Sequence, residues 1–127
     1  MKFEHYAINV KDSIAVSDWY CEHCGLTAVI ALNHMPFTRF LADETGHLFL
    51  EVYANPEAPV PDYSQMHHLQ YHLAFSVSDA GIEKDRLLTA GCSYVEERNP
   101  AENIRLIMLR DPFGMPLQLC QRATKMS

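Results

Sequence analysis

Apolar and polar positions alternate from Phe3 to Val10. Tyr6, Ile8 and Val10 fall on one side of an extended chain, and His5, Ala7 and Asn9 on the other. This pattern predicts a strand. Asp12 or Ser13 can cap a helix that runs to about His23, and Gly25 stands where a helix C-cap glycine is expected. Further strands are predicted at about 26–32, 37–42 and 47–53, with Asp43-Glu-Thr-Gly46 as a turn. The same order then returns. A strand is predicted at about 70–77 and a helix near 80–90 closed by Gly91. Strands follow near 92–97, 104–110 and 115–121, the last two joined by Asp111-Pro-Phe-Gly114.

The recurrence extends to residue identity. His5-Tyr-Ala-Ile-Asn-Val-Lys-Asp12 matches His72-Leu-Ala-Phe-Ser-Val-Ser-Asp79 at a spacing of 67 residues, with His, Ala, Val and Asp identical. The same spacing carries Leu50-Glu51-Val52 onto Leu117-Gln118-Leu119. The chain therefore reads as one domain, 1–127, built from two βαβββ modules. They span about 3–54 and 70–122, joined by a linker, 55–69, that Pro56, Pro59 and Pro61 stiffen. Fold class is α+β. In each module the apolar strand face has a partner in the following helix. The opposite face carries His5 and Glu51 in the first copy and His72 and Gln118 in the second. If the copies pair as their symmetry suggests, two imidazoles, a carboxylate and a carboxamide line a shared concavity.

Composition narrows the partners. The chain has 127 residues, 48% apolar and 20% charged, which suits a folded globular domain. Its net charge of −6 gives no basic footprint for a phosphate backbone or anionic lipid, so neither nucleic acid nor a membrane is an expected partner. No apolar run is long enough to span a bilayer, and the opening Met1-Lys2-Phe3-Glu4 is unlike an export signal. The expected location is the cytoplasm, with Cys21, Cys24, Cys92 and Cys120 as reduced thiols. Cys21-Glu-His-Cys24 is a lone CxxC inside a predicted helix and reads as packing. His23, His34 and His47 have no counterpart in the other copy, and His67-His68 read as solvated linker histidines. Trp19 and Tyr20 read as packing residues, and Phe49, Tyr53 and Arg39 as candidate walls of the concavity.

The two strand starts, together with Arg110-Asp-Pro-Phe-Gly-Met-Pro-Leu-Gln-Leu119, resemble the vicinal oxygen chelate superfamily. This group includes glyoxalase I, bleomycin- and fosfomycin-resistance proteins, extradiol dioxygenases and methylmalonyl-CoA epimerase. The resemblance covers Phe3 to about Arg122. It implies paired βαβββ modules whose curved sheets form a cleft, with one metal ligand on the first and last strand of each module. Those positions are His5, Glu51, His72 and Gln118. Such N/O donors suit Ni, Co, Mn, Fe or Zn rather than a thiolate-rich structural zinc site. The implied function is a metal-dependent glyoxalase-like lyase or isomerase for a small vicinal-oxygen substrate, with Glu51 as the base, in a homodimer. Gln118 departs from the usual Glu, and a carboxamide takes no proton at neutral pH. The alternative is a metal-free protein on the same fold that binds a drug-like small molecule and confers resistance. The family's extradiol dioxygenases are longer chains.

Overall fold

A computed structural model of the chain describes residues 1–126 and contains two compact units, Met1–Pro61 and a second from Asp62 onward. The first unit contains β1 (Tyr6–Asn9), α1 (Ser13–Cys24), β2 (Thr27–Ala31), β3 (Arg39–Ala42) and β4 (Leu48–Tyr53). The second contains β5 (Leu73–Ser76), α2 (Ala80–Thr89), β6 (Ser93–Arg98), β7 (Ile104–Arg110) and β8 (Pro116–Arg122), preceded by a 3₁₀ turn at Tyr63–Gln65. Each unit is a four-stranded mixed sheet, ordered β1-β4-β3-β2 in one and β5-β8-β7-β6 in the other. The α+β fold of two βαβββ modules is thus the observed one. In both sheets the first strand lies parallel to the last, and the remaining pairs are antiparallel.

The 67-residue spacing survives in three dimensions. Tyr6 pairs with Leu50 as Leu73 pairs with Leu117, and Ala7 pairs with Glu51 as Ala74 pairs with Gln118. Each second strand bulges at the matching place, at Val29 between Ala28 and Ile30 and at Val95 between Tyr94 and Glu96. One further bulge, at Phe49, occurs only in the first unit. It adds a residue to β4 and restores the common register after a one-residue drift in β3.

The helices close one face of each sheet. Asp12 and Asp79 accept hydrogen bonds from the N–H of Ala15 and Ile82, capping α1 and α2 at matched positions. Gly25 ends α1 at φ +68°, a left-handed conformation that glycine adopts without strain. Val16, Trp19 and Tyr20 turn inward from α1, which packs on β2, β3 and β4, where Leu41, Leu50 and Val52 are fully buried. In the second unit Leu87 of α2 is buried with Ile107, Leu109, Leu117 and Leu119.

Two features depart from the sequence pattern. Tyr6, expected on the apolar face, is 49% exposed. β1 is the outer strand of its sheet, and the first residue of that strand extends beyond the cover of α1. The third strand begins at Arg39 rather than near Phe37, because Phe37 adopts φ +55° in a loop. That loop is held through its carbonyls, with Ser13 Oγ donating to Phe37 O at 2.7 Å and Arg39 Nη1 donating to Leu32 O at 2.7 Å.

The hairpins after β3 and β7 are the same turn twice. Asp43 and Asp111 each accept a backbone N–H two residues on, and their carbonyls accept from the N–H of Gly46 and Gly114. Both glycines are left-handed, at φ +83° and +87°. A Cβ on Gly46 would meet open space, whereas one on Gly114 would lie 3.0 Å from the backbone nitrogen of Ser64. Gly46→Ala is therefore expected to cost about 1–2 kcal/mol from backbone strain alone. Gly114→Ala should cost more than that, because the segment at Ser64 must move. Urea unfolding of the two variants measures the difference, and equal losses would contradict it.

Candidate functional site

Strand parity sets which side chains share the face left open by each helix. Residues directly opposite across a ladder point to the same side of a sheet. In the first unit one such row runs Ala7, Glu51, Phe40, Ile30. In the second, the equivalent row is Ala74, Gln118, Met108, Glu96. His5 and His72 each stand two residues before the alanine of their row, on the same side of the chain. The His5 ring confirms this placement for the first unit, meeting Phe40 edge-on at 5.4 Å. Register thus brings His5 and Glu51 to one open face, and His72 and Gln118 to the matching face of the other unit. Among the described residues, no group of three or more His, Cys, Asp and Glu side chains assembles into a metal-holding cluster.

The polar contacts of these residues are informative. His5 Nδ1 lies 2.8 Å from Glu4 Oε1, and His72 Nδ1 lies 2.9 Å from the carbonyl oxygen of His68. A carbonyl oxygen only accepts, so Nδ1 of His72 carries the proton in that bond and Nε2 presents a lone pair. The carboxylate of Glu4 does the same for His5. An imidazole held through one nitrogen and open at the other is the usual arrangement of a metal-ligating histidine. The Glu51 side chain makes no hydrogen bond or ion pair with any described residue. Arg39 does not reach it, because Arg39 pairs with Val52 on the opposite face and its guanidinium serves loop carbonyls. Arg39 is accordingly not part of the same wall as Phe40. Gln118 Oε1 accepts a 3.3 Å hydrogen bond from the Cys120 thiol.

The second unit holds a cluster with no counterpart in the first. Arg110 donates to the carbonyls of Tyr63, Met66 and Gly114, drawing the segment from Asp62 onto the β7–β8 end of the sheet. His68 is thereby carried to Glu96, with Nε2 2.7 Å from Oε1, and its side chain is only 12% exposed. Arg98 Nε donates to the same oxygen at 3.0 Å. The hydrogen bond from His68, with help from Arg98, holds the Glu96 carboxyl below the usual carboxylate range. His68 is therefore not the solvated linker residue its sequence context suggests. The signal was faint, since Glu96 lies on a strand rich in charge and only the folded linker brings the two together. His67 stacks on His68 at 4.3 Å.

The model of the glyoxalase/bleomycin resistance protein/dioxygenase superfamily matches residues 2–119, and the chain belongs to that superfamily. Members of this group bind small molecules, commonly use divalent metals and often form dimers. Solved structures agree on the fold. A glyoxalase family protein from Enterococcus faecalis is 24% identical with a TM-score of 0.68, covering 94% of this chain and 97% of that one. The antibiotic binding protein TnmS3 from Streptomyces sp. CB03234 is 17% identical with a TM-score of 0.69, covering 97% of both chains. The fosfomycin resistance protein FosX from Listeria monocytogenes is 15% identical with a TM-score of 0.70, covering 94% of this chain and 92% of that one. No curated protein sequence matches the chain. Among the described residues, no helix is long and apolar enough to cross a membrane.

Thiol reactivity gives a direct check on the packing beside this face. None of the four cysteines forms a disulfide. Burial pushes the Cys92 thiol up to about 12 and raises Cys120 as well. Only the thiolate is nucleophilic, so Cys21 and Cys24 should alkylate first in the folded protein at mildly alkaline pH, with Cys92 and Cys120 protected. Because Cys92 ionises near 9.0 when unfolded and near about 12 when folded, its contribution to stability is complete below 9 and lost as pH rises towards 12. Mass spectrometry of iodoacetamide-labelled protein reads the order, and early labelling of Cys92 would contradict the packing.

Proposed function

We propose that the protein is a metal-dependent lyase or isomerase of the glyoxalase type, acting on a small molecule with two adjacent oxygens. In this reading His5, Glu51, His72 and Gln118 are the metal ligands and Glu51 is also the catalytic base. One observation carries it. Both duplicated histidines engage Nδ1 with an acceptor and leave Nε2 open, on faces that also bear a partnerless carboxylate and a carboxamide. Two imidazoles, one carboxylate and one amide oxygen suit a divalent ion such as Ni, Co, Mn, Fe or Zn. Such an ion, when bound, supplies a Lewis acid that stabilises negative charge developing on a substrate oxygen.

The residues of the chain divide the remaining work. The Glu51 carboxylate takes the proton α to the substrate carbonyl and returns it to the adjacent carbon. Gln118 orients but does not transfer a proton, because a carboxamide has no basic oxygen at neutral pH. Phe40 and Ile30, on the Glu51 row, form an apolar wall that accepts the substrate's hydrocarbon part and keeps water from the base. The two modules serve as one domain in a homodimer, and cysteines that form no disulfide suit the reducing cytoplasm.

Gln118 favours a second reading. Its Oε1 already accepts from Cys120, and one fewer negative ligand lowers metal affinity. A metal-free protein that sequesters a drug-like molecule would need no fourth carboxylate, and the antibiotic binding protein with the same fold supports that possibility.

Elemental analysis of untagged, chelator-free protein separates the two. Near-stoichiometric metal is expected, lost in Glu51→Ala with the fold intact, so that the metal-free forms of variant and wild type share one unfolding midpoint. Gln118→Glu should tighten binding about tenfold by restoring a negative ligand. Absence of metal, with none taken up on titration, would transfer the function to metal-free binding.

A further inference from the structure

We infer that Glu96 is a positioning residue for His72, acting through His68. The inference rests on the reading of His72 as a ligand, but its geometry is independent of any ion. His72 is set by a single bond, from its Nδ1–H to the backbone carbonyl of His68 at 2.9 Å. That carbonyl belongs to a linker residue with no place in a helix or strand. The turn around it is closed by the Gln70 N–H on the His67 carbonyl and by the His67 N–H on Gln70 Oε1, and its only tie to the sheet through its own side chain is the His68 imidazole on Glu96 at 2.7 Å. Glu96 in turn sits in a sheet, on the row that contains Gln118, and Arg98 holds the same oxygen at 3.0 Å. The relay from β6 to the ring of His72 is thus Arg98, Glu96, the His68 side chain and the His68 carbonyl.

The relay fixes both the plane of the His72 ring and its tautomer. With Nδ1 protonated and donating, Nε2 is the nitrogen left to bind. His5 gets the same service from its sequence neighbour Glu4, an exposed residue, so the two histidines reach the same state by different means. Partners of this kind usually change metal affinity by about 10–100-fold when removed. Glu96 is two strands from Gln118 and has no counterpart in the first unit, where Ile30 occupies the equivalent place on the row.

The experiment uses metal-free protein and two substitutions, Glu96→Ala and Glu96→Gln. Nitrogen-15 NMR reads the His72 tautomer at a pH where the imidazole is neutral, with the signal assigned by comparison with His72→Gln. Wild-type protein should show Nδ1–H. Glu96→Ala should move His72 towards the Nε2–H tautomer and weaken Co²⁺ binding about tenfold. Glu96→Gln keeps an acceptor for His68 and should retain both properties, which separates positioning from the charge of Glu96. A His72 tautomer unaffected by Glu96→Ala overturns the inference, as does an equal loss of Co²⁺ affinity in both variants. If the tautomer responds to Glu96→Ala while Co²⁺ leaves the His72 signals unmoved, the positioning stands and the ligand assignment falls.

Discussion

The parallel pairing of first with last strand in each unit is the constraint on which the rest depends. A parallel pair cannot be closed by a tight turn, so a long crossover must intervene, here a helix and two strands before β4 returns beside β1 and β8 beside β5. Register in that pair is then set by burial. Leu50 and Val52 are fully enclosed, and so are Leu117 and Leu119. A slip of one residue would turn Glu51 into the core and a leucine into the open. The apolar residues flanking Glu51 and Gln118 therefore do more than fill space. They determine that these polar side chains emerge on the face opposite the helix, alongside the histidines.

Comparison of the duplicated rows shows how the two copies have diverged on that frame. The first unit places its carboxylate on the last strand, as Glu51, and ends the row with Ile30. The second places a carboxamide there and moves the carboxylate to the far strand, as Glu96. Each row keeps one acid. Glu51 has no partner among the described residues, while Glu96 is committed to His68 and Arg98. The backbone changed less than the side chains. Bulges at Val29 and Val95 coincide, and the extra residue at Phe49 compensates a drift that would otherwise have displaced Glu51 from its face.

Much of this was legible in the chain itself. Eight strands, two helices, the Asp caps and both Asp-Gly turns follow from local periodicity and turn chemistry, and the repeat of His, Ala, Val and Asp marks equivalent strands. The parity of Leu50-Glu51-Val52 predicted which side chains share a face. Other features depend on contacts remote in sequence. Tyr6 satisfies the apolar period yet is exposed, because strand order puts it at the sheet edge. Arg39 could have paired with Glu51 on composition alone, but the register with Val52 sends it to the other side. The bond between His68 and Glu96 spans 28 residues and joins β6 to a linker that Arg110 draws to the sheet by the carbonyls of Tyr63 and Met66. No local rule predicts such a contact.

Under the proposed function the two units offer different kinds of donor. In the first, a carboxylate beside an imidazole brings negative charge, and the Phe40 ring lies edge-on to that imidazole. In the second, no carboxylate stands beside the imidazole on the last strand, and what the fold contributes is orientation: His72 held by a carbonyl, and Gln118 held by the Cys120 thiol. Gln118 therefore brings no charge to the half of the molecule already organised around geometry. Of the four proposed ligands Glu51 alone can both neutralise a cation and accept a proton, and this is why the proposed chemistry depends on that residue more than on any other.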